Sequence, residues 1–312
     1  GKALQNEGYK LYYASDIQNK FFRLFDMCFK TIFYSGKIDY VLIDTYSTSN
    51  FWYALGIGRL CQIVNLKYIP ILHGGNLPKR YEKSPFLTKN LLSNAYLNVA
   101  PSRYLFEFFQ KKGIYNLEYI PNTIHLDDYK FKQRLEFKPK LLWVRSFSSI
   151  YNPQMALEVL QLVLKNYPNA QLCMVGPEKD GALAASKKYA EKHQLSVIFT
   201  RKLAKREWIN LSQKYDIFIN TTHFDNTPLS VIEAMALGLP VVSTNVGGIP
   251  FLLNDKNDAL LVNDNDSEAM AEAIYSLLKS PQKGQFLAQN ARESVEKFDW
   301  NLVSKIWQKV LK

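Results

Sequence analysis

Residues 217–248 read IFINTTHFDNTPLSVIEAMALGLPVVSTNVGG. The stretch opens on a short apolar run, Ile217–Asn220, the length and composition of a buried strand. A polar loop follows, and then a helix. Thr227 suits its N-cap, Pro228 its first position, and Gly238 with Pro240 stops it. Leu229, Ile232 and Ala236 fall on one face, which is expected to point inward. A second apolar run, Val241–Thr244, comes directly after the stop. Strand, helix and strand in succession need a crossover connection, and crossovers build parallel sheets. The chain is therefore expected to be α/β.

The same rhythm extends outward. Leu141–Val144, Gln171–Val175, Val197–Thr200 and Leu260–Val262 are further strand candidates separated by helical segments. Toward the front, Tyr9–Ala14, Tyr40–Asp44, Tyr68–Leu72, Tyr96–Ala100 and Leu117–Ile120 repeat the pattern, with Ser102 placed to cap a helix. A charged, aperiodic stretch at 125–140 separates the two sets. The expected architecture is two Rossmann-like, doubly wound parallel-sheet domains facing across a cleft, 1–136 and 137–298. A closing helix, 299–312, carries Leu302, Val303, Ile306, Trp307 and Val310 near helical spacing and is expected to pack back on the first domain. The chain starts at Gly1 in what reads as a helix tail. The first domain is thus expected to lack its N-terminal strand and to be poorly stable as it stands.

Bulk properties narrow the function. A length of 312 residues suffices for two cores, and 47% hydrophobic content argues against global disorder. The net charge of +11 leans to the front, with 18 basic against 11 acidic residues in 1–136 and 21 against 17 in 137–312. No Lys/Arg block of five or more residues and no nucleic-acid motif accompanies it, so nucleic acid is not expected as a partner. Three widely spaced cysteines form no CxxC pair and read as reduced thiols, which suits the cytoplasm. No apolar run approaches the roughly 20 residues of a membrane span. The segment KFFRLFDMCFKTIFYSGK (20–37) reads in two ways. It is a buried helix with snorkelling cations, the preferred reading, or a helix lying on an anionic membrane.

Asp225 and Glu233 stand eight positions apart, on either side of the helix start. At 1.5 Å per residue, Glu233 lies roughly 8 Å along the axis. Between the two acids is a helix N-terminus with free N–H groups, which suits a phosphate. The site then offers an anion cradle between two hydroxyl acceptors, the pattern of a nucleotide-sugar with its diphosphate, ribose and hexose. The spacing alone equally allows two acids that cap and solvate a surface helix.

The segment resembles the nucleotide-sugar motif of retaining glycosyltransferases of family 4, which have the two-lobed GT-B fold. The matching residues are Asp225, then Glu233-Ala234-Met235-Ala236, Gly238, Pro240-Val241-Val242 and Gly247-Gly248. The resemblance implies that Glu233 holds the ribose hydroxyls and that Asp225, where the family usually has Glu, contacts the transferred sugar. It places Arg145, after the strand LLWV, on the diphosphate, and His73, before Gly74-Gly75, near the donor. Asn226, Thr227, Pro228 and Leu229 would line the cradle. The family's lysine a few residues after the arginine is missing from SFSSIYNP, and Lys202 is the candidate substitute. The implied reaction moves a sugar from a nucleotide diphosphate, UDP favoured, to an acceptor hydroxyl with retained configuration. The acceptor would be a saccharide or glycolipid in envelope polysaccharide, lipopolysaccharide or glycolipid synthesis. No cofactor beyond the donor and no metal are expected, since no Asp-x-Asp loop or His cluster is present. The competing readings are a nucleotide-sugar epimerase, which needs acids and His arranged for proton chemistry, and a two-lobed binding protein without catalysis, which leaves the motif unexplained. A cytoplasmic location, with peripheral contact at the inner membrane face, completes the expectation.

Overall fold

The computed structural model describes residues 1–312 as two compact units, 1–122 with 301–312, and 123–300. The division falls at Asn122/Thr123, upstream of residue 136. Residues between these points fold with the second unit because Ile124, Tyr129 and Arg134 are buried there.

The first unit holds four parallel strands in the order β1-β2-β3-β4: β1 Tyr40–Thr45, β2 Lys67–Leu72, β3 Asn98–Ala100 and β4 Leu117–Tyr119. Leu72, Phe51, Phe109 and Leu105 are among its fully buried core residues. Ser102 caps the helix Arg103–Lys111, its hydroxyl accepting from the Leu105 N–H at 3.1 Å. The helix Trp300–Val310 buries Val303 and Trp307, and Tyr40 donates to the Lys312 carbonyl at 2.6 Å.

Two expectations fail in this unit. Tyr9–Ala14 pairs with no strand; its side chains are half-buried or exposed, so neither face gains enough apolar burial to hold it in the sheet. The segment 20–37 is not a buried helix. Helix Lys20–Tyr34 turns Leu24, Met27, Cys28 and Thr31 inward, while Phe21, Phe22, Phe25, Phe29, Ile32 and Phe33 are 53–86% exposed. Asn19 caps it, accepting from the Phe21 N–H at 3.0 Å.

The second unit has six parallel strands: β5 Lys140–Val144, β6 Gln171–Val175, β7 Val197–Thr200, β8 Ile217–Asn220, β9 Val241–Thr244 and β10 Leu260–Val262. Their order is β10-β9-β8-β5-β6-β7. Both faces are covered by helices, which is why the strands read as continuous apolar runs without alternation. Leu141 and Trp143 face one core, Leu142 the other. Each fully buried aliphatic side chain here contributes about 1.5–3 kcal/mol. The two ends of the unit clasp one another: Ile124 N–H donates to the Phe298 carbonyl at 3.0 Å, and Trp300 N–H to the Ile124 carbonyl at 2.9 Å. No helix is long and apolar enough to cross a membrane. The three cysteines are unpaired, and Cys61 and Cys173 are buried.

Candidate functional site

The sheet of the second unit reverses direction between β5 and β8. The chain runs outward through β6 to β7, then returns to place β8 on the other side of β5. Open α/β sheets bind ligands beyond the carboxyl ends of the strands at such a reversal. Arg145 is the first residue after β5, and its N–H donates to the Val175 carbonyl at 3.0 Å. The loop after β8 is fixed beside it. Trp143 Nε1 donates to Thr221 Oγ1 at 3.0 Å, and the Thr221 hydroxyl reaches the carbonyls of Tyr151 and Asn152 at 3.0 and 2.8 Å. Thr244 Oγ1 donates to the Thr222 carbonyl at 2.6 Å.

The loop then delivers Asp225. Its carbonyl accepts the Gly248 N–H at 2.8 Å, and its Oδ1 accepts the Asn226 N–H at 2.7 Å. A Cβ on Gly248 would overlap the Asn226 carbonyl, which explains the second glycine of the pair. The Asp225 carboxylate forms an ion pair with the Arg145 guanidinium; their side chains are only 13% and 12% exposed. The guanidinium carbon also stands 4.0 Å from the centre of the Tyr151 ring. Burial pulls Arg145 below its ordinary value, and Tyr151 opposes that pull. Arg145 Nε, Asn220 Oδ1 at the end of β8 and Ser230 Oγ are buried and find no hydrogen-bond partner in the protein.

The helix after the loop spans Leu229–Ala236. Pro228 occupies its N-cap position, and Thr227 lies one residue outside. Pro228 keeps extended backbone, with ψ at 115°, so the helix starts one step later than the capping pattern suggests. The expected one-sided stripe is also wrong. Val231, Ile232, Ala234, Met235 and Ala236 are all buried, while Leu229 is 41% exposed. The helix is wrapped by the core instead of lying on it.

Glu233 sits in the second turn and is itself buried. Tyr129 Oη donates to its Oε1 at 2.6 Å, and Lys205 Nζ lies 3.1 Å from the same oxygen. Burial, and then the neighbouring carboxylate, push the Tyr129 hydroxyl far above its usual range, so it remains a donor. Lys205 is the first residue of helix Lys205–Ser212, started by Glu207 accepting from the Ala204 N–H at 2.6 Å. Lys202, the candidate read from the sequence, is exposed and engages no partner. Lys205, three residues on, carries the cation to the site.

The remaining candidates lie in the first unit. His73 follows β2 and is hydrogen-bonded through Nε2 to Asp44 Oδ1 at 2.9 Å, with the Tyr46 ring stacked 5.5 Å away. His73 holds the Asp44 carboxyl below its usual range, against the opposing effect of burial. The Gly74 N–H bonds to the Thr45 carbonyl at 3.3 Å, and a Cβ there would press on the Ser47 backbone nitrogen at 2.7 Å. Gly75 continues the turn. Tyr129, Tyr151, Lys205 and Asp44 went unread in the sequence. Only Lys205 leaves a trace, as the residue opening a helix with Glu two positions later.

Comparison with known proteins agrees with this geometry. The family model for glycosyl transferases group 1 matches residues 127–294. Sulfoquinovosyl transferase SQD2 of Arabidopsis thaliana is 32% identical over 153 residues, 46% of this chain and 28% of that protein. A D-inositol 3-phosphate glycosyltransferase of Saccharomonospora viridis is 32% identical over 95 residues, 30% of this chain and 22% of that protein. The match thus spans less than a third of either relative. Among solved structures, Anabaena Alr3699/HepE, crystallised with UDP, superimposes with a TM-score of 0.78 at 18% identity, covering 91% of this chain and 81% of that one. Sucrose-phosphate synthase of Thermosynechococcus elongatus gives 0.76 at 20% identity, covering 97% and 80%. These likenesses show the GT-B fold. Since more than half of the sequence, including Arg145, Asp225 and Glu233, lies within the matched region, the chain belongs to the glycosyl transferases group 1.

Proposed function

We propose that this protein transfers a sugar from a nucleotide diphosphate donor to an acceptor hydroxyl, with retention of configuration, as a member of glycosyltransferase family 4. The observation that carries this reading is the placement of Arg145, paired with Asp225, at the reversal of the sheet, beside the helix that bears Glu233. A diphosphate at the helix N-terminus meets its free N–H groups and the Arg145 fork. In this reading Asp225 meets the transferred sugar, and Glu233 accepts from the ribose hydroxyls. His73 acts at the donor from the turn with Gly74 and Gly75. Lys205, with Lys202 nearby in sequence, supplies further positive charge. The donor is a UDP-sugar, in line with the UDP and UDP-glucose complexes of the Anabaena protein. The sugar's bond to the leaving phosphate oxygen breaks as its bond to the acceptor oxygen forms. The acceptor's proton passes to the leaving phosphate on the same face. The protein's part is to orient the two substrates and stabilise charge on the diphosphate.

With Arg145 and the helix N-terminus neutralising the diphosphate, the reaction runs without a metal; activity in excess chelator is expected to match that without it. The protein works in the cytoplasm on a saccharide or glycolipid acceptor of envelope synthesis. Contact with an anionic membrane surface is made through the exposed aromatic face of helix Lys20–Tyr34, set in a front segment with 18 basic and 11 acidic residues. Thermal shift against UDP, GDP, ADP and their sugars tests the core of the reading. Ligand at about 100 times its dissociation constant should stabilise by about 2.7 kcal/mol. Glu233→Ala should lose most of that shift. No shift with any nucleotide would overturn the reading.

A further inference from the structure

We infer that Tyr129 is a positioning residue that turns the Glu233 carboxylate so that one oxygen is held by the protein and the other is kept for a nucleoside diol. The inference rests on the nucleotide reading of the site and extends it to a residue outside the motif. Tyr129 Oη and Lys205 Nζ both meet Oε1, at 2.6 and 3.1 Å, and no protein group bonds Oε2. Lys205 Nζ also lies 5.5 Å from the centre of the Tyr129 ring, so the three groups pack as one cluster.

The cluster is unequal in stiffness. Lys205 has a side chain 53% exposed, on a long flexible stem. The Tyr129 side chain is fully buried and its backbone is fastened on both sides. Arg292 Nη1 donates to the Tyr129 carbonyl at 2.8 Å and to the Ala236 carbonyl at 2.7 Å, tying Tyr129 to the end of the helix that carries Glu233. Three residues on, Lys132 N–H donates to the Leu237 carbonyl at 3.3 Å, and Arg134 Nη1 to the Gly238 carbonyl at 2.8 Å. The phenol is thus fixed to the same frame as the carboxylate, and it accepts no competing role. An ionised carboxylate rotates freely about its last torsion unless held. A short bond to one oxygen sets that torsion and leaves the second oxygen as an oriented acceptor.

The test compares binding of the nucleoside diphosphate that the wild type holds most tightly among UDP, GDP and ADP with binding of its 2′,3′-dideoxy form. In the wild type, removing the diol should weaken binding by about a hundredfold. Tyr129→Phe keeps the shape of the side chain and removes only the hydroxyl. It should weaken the ribonucleotide about tenfold and the dideoxy form less than twofold. In a Glu233→Gln background, Tyr129→Phe should add little further loss. Should Tyr129→Phe melt early, the same comparison is made in the cold, below its melting transition, where the variant is folded. Equal weakening of both ligands, or of neither, overturns the positioning role while the nucleotide reading stands. A wild type that binds none of the three nucleotides overturns both.

Discussion

Arg145 decides more here than any other single residue. Its guanidinium is buried, paired with Asp225 and stacked on Tyr151, yet its Nε is left without a partner. Breaking a buried pair by removing one member costs about 3–5 kcal/mol, because the other charge stays behind unpaired. Arg145→Ala is therefore expected to lower both stability and turnover. Arg145→Lys separates the two effects: it keeps the charge but loses the planar fork. We expect its melting temperature to fall only slightly and kcat/KM to fall by 10- to 100-fold; a lysine variant with full activity would remove Arg145 from the diphosphate. The Asp44–His73 pair gives a pH signature of a different kind. Asp44 is held below its usual range in the folded chain, so its contribution is present above about pH 4 and is lost as pH falls through the lowered value. Its side chain is 67% exposed, so the contribution stays below about 1 kcal/mol. Asp44→Asn should be slightly less stable than the wild type near neutrality and indistinguishable from it at pH 2 in urea titrations. At this scale Arg145, Asp225 and Glu233 could be named from the sequence through the resemblance, and the structure sets Arg145 against Asp225. Tyr129 was hidden because the stretch 125–140 has no periodicity to say which way a side chain points. Its role exists only through the carbonyls that Arg292 and Arg134 clasp, residues far from it in sequence.

Elements show where pattern reading succeeds and where packing overrides it. The strands of the second unit were legible because its parallel strands, covered by helices on both faces, leave six short apolar runs. Tyr9–Ala14 reads as a strand too, yet it leaves the open edge of β1 unpaired, and its side chains stay half-buried or exposed. Helix Lys20–Tyr34 is the sharper lesson. Its periodicity is genuine, yet the wide Phe-rich arc faces outward and the narrower Leu24–Met27–Thr31 stripe faces inward, where the helix packs on helix Phe51–Ile63. Sequence says which residues share a face but not which face meets the core. Six exposed apolar side chains on one helix are far more than scattered surface hydrophobics, and they call for a cover. Lys20, Arg23, Lys30 and Lys37 border them, against Asp26 alone within the segment. An anionic bilayer fits that combination. We expect the protein to sediment with vesicles rich in phosphatidylserine, more weakly with phosphatidylcholine, and less in high salt. Phe25→Glu with Phe29→Glu should abolish this without changing the melting curve, because both side chains are solvent-exposed. Dimerisation relieved by the same two substitutions, with no vesicle binding, would assign the face to a second copy of the chain.

For the molecule as a whole, the two units differ in how completely each closes on itself. The six-stranded sheet of 123–300 is covered on both faces, and its ends meet at Ile124, Phe298 and Trp300. A unit whose termini are hydrogen-bonded together can be excised without cutting a strand or a helix of its core. All of Arg145, Ser230, Glu233, Tyr129 and Lys205 lie inside it. The groups assigned to the diphosphate and the ribose are therefore contained in one autonomous body, while His73 belongs to the other. A chain of residues 123–300 should fold alone, melt cooperatively, and bind the free nucleoside diphosphate within about threefold of the full protein. Transfer to an acceptor should be absent, and affinity for the intact nucleotide-sugar should drop further than affinity for the nucleotide. Calorimetric titration of the two chains with UDP and with a UDP-sugar measures both. Loss of UDP binding in the shorter chain would show that the first unit contributes to the nucleotide site itself, and the division of labour argued from the sheet reversal would fall.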